Sequence, residues 1–338
     1  MSPDMLQHQH AAHCESGVIS SLLSYHGLPM SEPMAFGLSN ALAFAYLPFI
    51  KLNGQPLVAY RLPPRAIIKG LTKRLGVKVR YQTFRNPIKG TEALEAAVEE
   101  GRPVGLQTSV FWLPYFPEDM RFHFNAHNLI IYGKQDREFL VSDPVFESPV
   151  TIKSRDLLRA RFAKGALAPK GMMYHLERVP GEIDYARVIP DAILKNSRVM
   201  TRAPLPLIGI RGIRHMARKI AAVDRKFADD RSRRLYLGHI VRMQEEIGTG
   251  GAGFRFIYAS FLQEASRLLG DSELLQASEM MTATGDSWRD FALSLAKLCS
   301  SSSDPVGGAP AASQQLLACA EQESEVWKLL DNWAKLKR

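Results

Sequence analysis

A chain of 338 residues can bury one large core or two smaller ones, and an apolar fraction of 46% is ordinary for a globular protein. No apolar run approaches the roughly 18 residues of a membrane span, and Met1 to His13 lack the basic-then-apolar layout of a secretory signal, so no membrane span and a cytoplasmic setting are expected. The formal net charge of +9 favours an acidic partner, and three cysteines, Cys14, Cys299 and Cys319, fit neither a disulfide framework nor zinc spacing.

Ser16 to Tyr25 predicts a helix with Val18, Ile19, Leu22 and Leu23 on its apolar face, and His26-Gly27-Leu28-Pro29 stops it. Ser31 caps a second helix, with Pro33 in its first turn, expected to run to about Tyr46. Leu57 to Leu62 reads as a strand, Pro64 to Leu75 as a helix, Val77 to Tyr81 as an alternating strand, Thr91 to Glu100 as a helix and Val104 to Thr108 as a strand. His127 to Tyr132 and Phe139 to Ser142 form a hairpin turning at Gly133 to Asp136, and Met172 to Glu177 is the last strand. After Pro180 only helical patterns remain: 187–196, 210–223, 231–247, 254–269, 274–281, 287–298 and 314–336, with Ser300 to Ala312 as a flexible connection. The expectation is an α+β chain: helices packed on an antiparallel sheet over 1–180, then an all-α domain over 181–338.

Cys14 sits just ahead of the first predicted helix. A thiol becomes a nucleophile at neutral pH when a helix N-terminus and an imidazolium favour the thiolate. His127, opening one strand of the hairpin, can supply the imidazole, and Asp143, just past the other strand, can orient it. Cys, His and Asp in that order suit a papain-like site. His123 lies four residues earlier, on the same side of an extended segment, and spacing alone does not separate it from His127. The backbone N–H of Cys14 is one oxyanion donor. Papain-like enzymes add a glutamine shortly before the cysteine; Gln7 and Gln9 flank that place, which His8 occupies, so Gln9 is the second candidate. Glu15 and Asn128 are candidates for substrate contact, although Glu15 also suits a helix N-terminus. His8, His10 and His13 crowd the N-terminus without a ligand spacing, so no metal is expected. Gly248-Thr249-Gly250-Gly251-Ala252-Gly253 lacks the lysine and the preceding strand of a phosphate loop, and reads as close backbone packing or a lid.

The stretch from Lys195 to Arg242 carries roughly the whole positive excess, including Arg211, Arg214, Arg218, Arg233 and Arg234 against Asp224, Asp229 and Asp230. It is either a docking face for something acidic or an ordinary solvated surface.

His13-Cys14-Glu15-Ser16-Gly17, Leu22 to Gly27, Ser31 to Gly37, Ala126-His127-Asn128 and Ser142-Asp143-Pro144 together resemble the butirosin-biosynthesis acyltransferase family. Gly250 to Arg255, Tyr258, Phe261-Leu262 and Trp288-Arg289 resemble the helical domain often fused to it. The resemblance implies a papain-like fold in which Cys14 is the nucleophile, His127 the base and Asp143 its orienter. It implies transfer of an acyl group from a carrier-protein thioester to a small-molecule amine. No cofactor is implied beyond the phosphopantetheine of the carrier, and no nucleic acid; the carrier would dock on the basic arginines. A cysteine peptidase or amidase built on the same residues is the first alternative, and a non-catalytic binding protein with a basic face the second.

Overall fold

The computed structural model describes residues 6–52, 54–300 and 308–338. In chain order the elements are α1 (Cys14–Tyr25), α2 (Glu32–Leu38), β1 (Leu42–Leu52), β2 (Gln55–Arg61), α3 (Ala66–Leu75), β3 (Lys78–Gln82), α4 (Pro87–Glu99), β4 (Val104–Thr108), β5 (His127–Gln135), β6 (Glu138–Ser142), β7 (Val150–Lys153), α5 (Ser154–Arg161) and β8 (Met173–Arg178). Helices follow: α6 (Tyr185–Arg202), α7 (Gly209–Ala221), α8 (Val223–Lys226), α9 (Asp230–Glu245), α10 (Arg255–Leu269), α11 (Ser272–Ser300) and α12 (Gly308–Leu336).

The chain divides into two compact units, and the division is not a single cut near residue 180. The first unit holds the residues up to Ala35 and Ile67–Ile183; the second holds Phe36–Ala66 and Asp184–Arg338. Among the described residues the elements after Arg178 are all helices, as expected, and the β1–β2 hairpin from earlier in the chain folds with them in the second unit.

The first unit is built on an antiparallel sheet ordered β3-β8-β4-β5-β6-β7. Leu129 and Ile131 of β5 enter one apolar cluster with Leu106, Val141, Leu94 and Leu157. The pleat turns Asn128 and Ile130 to the opposite face. Helix α1 packs against β5 and β8, and its first ten residues are all buried.

In the second unit a buried ion pair stands among aromatic rings. Glu323 accepts from Arg255 Nε at 2.7 Å, Trp288 Nε1 at 3.0 Å and Trp327 Nε1 at 2.7 Å, and the Arg255 guanidinium lies over the Trp288 ring. Such a pair is tolerated in a core because its acceptors are filled. Gly250 to Phe254 all have positive φ, in the glycine-rich segment. A Cβ at Gly253 would lie 2.2 Å from the Tyr60 ring, so this glycine is set by close packing. The Glu245 carboxylate accepts the Ala252 N–H at 3.1 Å, which puts an internal anion where a bound one could sit.

The second helix ends at Leu38 rather than Tyr46. Asn40 takes a left-handed φ of 49°, and the aromatic-rich run after it pairs with β2 as a strand. The two helices read over 274–281 and 287–298 are one, α11, and Gly285 inside it packs against the Phe256 ring. Strand β7 and helix α5 had no expectation. Most of Ser300 to Ala312 lies outside the described residues, and Gly308 onward is already helix.

Candidate active site

Cys14 is the first residue of α1. The first N–H groups of a helix have no partner within it, and the Cys14 N–H has none among the described residues. The cap ahead of it is built from side chains. His13 accepts from the Ser16 N–H, and Glu32 accepts from the Ala12 N–H at 2.7 Å, the His13 N–H at 2.8 Å and the Ser16 hydroxyl at 2.9 Å. Burial pushes the Glu32 carboxyl up, against the pull of these three donors. A carboxylate at this end also suits the helix dipole.

The segment before Cys14 is fastened to the loop that carries Asp143. The Ala11 N–H donates to the Pro144 carbonyl at 2.6 Å, and the two ring nitrogens of His8 contact the Ser142 hydroxyl at 2.8 Å and the Phe146 carbonyl at 2.9 Å. Both segments cross α1 at Gly17, where a Cβ would meet Pro144 Cβ at 2.6 Å and Ala11 Cβ at 2.7 Å. Only glycine lets the three pieces meet there.

His127 opens β5, and Asp143 follows the last residue of β6. With Ile130 paired to Ser142, both lie at the same end of the hairpin. His127 Nε2 is 2.7 Å from Asp143 Oδ2, and the ring also hydrogen-bonds the Cys14 side chain. Asp143 occupies Nε2, so Nδ1 is the nitrogen left for the sulfur. Burial alone would lower the pKa of His127; the charge and hydrogen bond of Asp143, joined by those of Cys14, overcome it and raise the ring to about 10. These contacts favour the charged imidazolium.

Two residues of the β4–β5 connection complete the site, and neither stood out in the sequence. The Tyr115 hydroxyl donates to Asp143 Oδ2 at 2.9 Å, and the Phe116 ring stands edge-on to His127 at 5.4 Å. The Val145 N–H approaches the other carboxylate oxygen at 3.3 Å. Burial, then the Asp143 charge, holds the Tyr115 hydroxyl well above its ordinary pKa, so it acts as a donor.

The other candidates are placed elsewhere. His123 is exposed and stacks on Phe111 at 4.0 Å. Glu15 is fully buried and accepts the Ile67 and Ile68 N–H groups at 3.0 and 3.2 Å, so it caps α3 rather than facing a substrate. Asn128 is buried too, and its Oδ1 accepts the Tyr174 hydroxyl at 3.0 Å. Gln9 is exposed with no hydrogen bond among the described residues, and His8 is committed to Ser142 and Phe146.

In the second unit the basic stretch is partly neutralised from within. Arg211 donates to the Ala203 carbonyl, Arg214 pairs with Glu321 of α12, Arg233 pairs with Asp224 and Asp230, and Arg234 reaches Asp230 and the Cys299 carbonyl. Arg218 and Lys219 stay exposed on α7. Among the described residues no three His, Cys, Asp or Glu gather as metal ligands, and no helix is long and apolar enough to cross a membrane.

Residues 13–144 match the family described as butirosin biosynthesis protein H, N-terminal, and residues 155–330 match the domain of unknown function DUF4872. Among solved structures, a protein described as a C39-like peptidase from Bacillus anthracis is similar at 15% identity and a TM-score of 0.36, over 52% of this chain and 96% of that one. No curated protein matches.

Proposed function

We infer, for a chain that belongs to the butirosin biosynthesis protein H N-terminal family and carries a DUF4872 domain behind it, that it is an acyltransferase working through an acyl-Cys14 intermediate. One observation carries the reading: Cys14, at a helix N-terminus, meets a His127 whose other ring nitrogen is held by Asp143. The Asp143 charge favours the imidazolium, and an imidazolium stabilises a thiolate beside it.

The Cys14 thiolate attacks the carbonyl of a carrier-bound thioester, and a carbon–sulfur bond forms. The Cys14 N–H, at the positive end of α1, faces the developing oxyanion. The carrier thiol leaves with the proton of His127. An amine then attacks acyl-Cys14 and gives its proton back to His127, and the cysteine leaves as thiolate. The products are an amide and a free carrier thiol. The thioester is already activated, so the cycle needs neither ATP nor a metal. An acidic carrier would use the exposed Arg218 and Lys219 rather than the arginines held in internal pairs.

The test is a pre-steady-state reaction with excess acyl-carrier thioester. A burst of free thiol, equal to the enzyme present, should precede amide formation. Release of free acid at the same rate with and without amine would make the enzyme a hydrolase.

A further inference from the structure

The β4–β5 connection has a second side. Phe111, Trp112 and Pro114 line a cavity of about 500 Å³ with Glu118, Arg121 and, from α5, Arg155, Asp156 and Arg159. Three guanidiniums thus meet two carboxylates. Arg155 and Arg159 are four residues apart, on one face of α5, and share Asp156 at 3.4 and 4.0 Å. Phe111 and Trp112 are more than a third exposed, although Val110, Leu113 and Phe116 beside them are buried. The Arg159 guanidinium sits over the Trp112 ring at 5.5 Å.

The cavity is one residue away from the catalytic histidine. The Arg121 Nε donates to the Phe116 carbonyl at 2.7 Å, and the ring of the same Phe116 abuts His127. Arg155 and Arg159 from a helix, with the terminal nitrogens of Arg121 from a loop, suit a tetrahedral dianion better than a planar carboxylate. A dianion offers oxygens to each fork, where Asp156 serves two forks at a stretch.

We propose that this cavity binds the phosphate at the far end of the thioester donor's pantetheine arm. The exposed rings of Phe111 and Trp112 would line the arm's path. The proposal rests on the thioester reading above for the identity of the ligand, and on the cavity alone for its charge.

The experiment is calorimetry on the full chain carrying Cys14→Ala, titrated with 4′-phosphopantetheine and with pantetheine. The phosphorylated compound should bind at least tenfold more tightly, about 1.4 kcal/mol. Arg155→Ala with Arg159→Ala should bring that ratio close to one. Equal affinities, no binding of either compound, or a ratio that survives the double substitution would overturn the proposal. Coenzyme A and a phosphopantetheine-loaded carrier, titrated alongside, identify the source of the phosphate. Acylation of wild-type Cys14 is scored separately. Phosphate selectivity without acylation would leave the cavity standing and end the thioester reading; acylation without selectivity would do the reverse.

Discussion

Tyr115 and His127 converge on a single oxygen, Oδ2 of Asp143, at 2.9 and 2.7 Å. The carboxylate is thereby held from two sides, and the imidazole has one orientation in which to meet Cys14. Tyr115→Phe removes one donor to a buried charge, an interaction worth about 1.5–3 kcal/mol. The acylation rate should fall about three- to tenfold, while thermal unfolding stays cooperative. An unchanged rate would make Tyr115 a packing residue only.

The His127 ring is raised from an ordinary 6.5 to about 10, which ties stability to pH. The sign is that of a raised base: its contribution is fully present below about pH 6.5 and is lost as pH climbs through about 10. Asp143→Asn removes the charge that holds the proton, so the loss should move toward neutral pH. Thermal unfolding between pH 6 and 10.5 checks this, with the histidine titration followed by NMR. Superimposable profiles would show that Asp143 does not set the ring's charge.

Gly17→Ala places a methyl group within 2.7 Å of both Ala11 and Pro144. In a helix interior alanine is favoured over glycine by about 1 kcal/mol, but overpacking costs about 1–3 kcal/mol. The variant should melt lower and acylate more slowly, because the segment leading to Cys14 and the loop carrying Asp143 are pushed apart. A higher melting temperature with full activity would show that the crossing relaxes freely.

Glu15 adjoins Cys14 in sequence, yet it caps α3. Glu15→Ala should cost about 0.5–2 kcal/mol of stability, as the loss of a helix cap does. Glu15→Gln keeps an acceptor oxygen and should recover much of that loss. The amine KM should shift less than twofold in either. A large KM effect without a stability effect would return Glu15 to the substrate.

Much of the first unit was legible in the sequence because its elements obey local rules. The β5–β6 hairpin alternates and turns at polar residues, which put His127 and Asp143 at one end before any contact was known. Local rules could not say which histidine turns inward: His123 and His127 share a pleat phase, and the choice is made by Asp143. They found β2 but missed its partner β1, because the apolar run up to Tyr46 reads as a continuation of the second helix until its pairing with β2 is seen. Tyr115, Phe116 and Glu32 were invisible for another reason. Each acts through a partner at least eleven residues away, which no local pattern reports. The basic stretch misled in part because Glu321, the partner of Arg214, lies more than a hundred residues downstream.

The central claim is that Cys14 carries the acyl group, and intact-mass spectrometry after brief incubation with a panel of acyl-carrier thioesters tests it most directly. Competing thiols are disfavoured: Cys319 is fully buried and pushed up to about 12, chiefly by burial and then by the Glu323 charge, and burial raises Cys299 as well. The account predicts one acyl mass added to the wild-type chain, mapped to the peptide containing Cys14, discharged by an amine and missing in Cys14→Ala. An adduct that persists in Cys14→Ala, or no adduct with any thioester while the folded enzyme still forms amide, would contradict it.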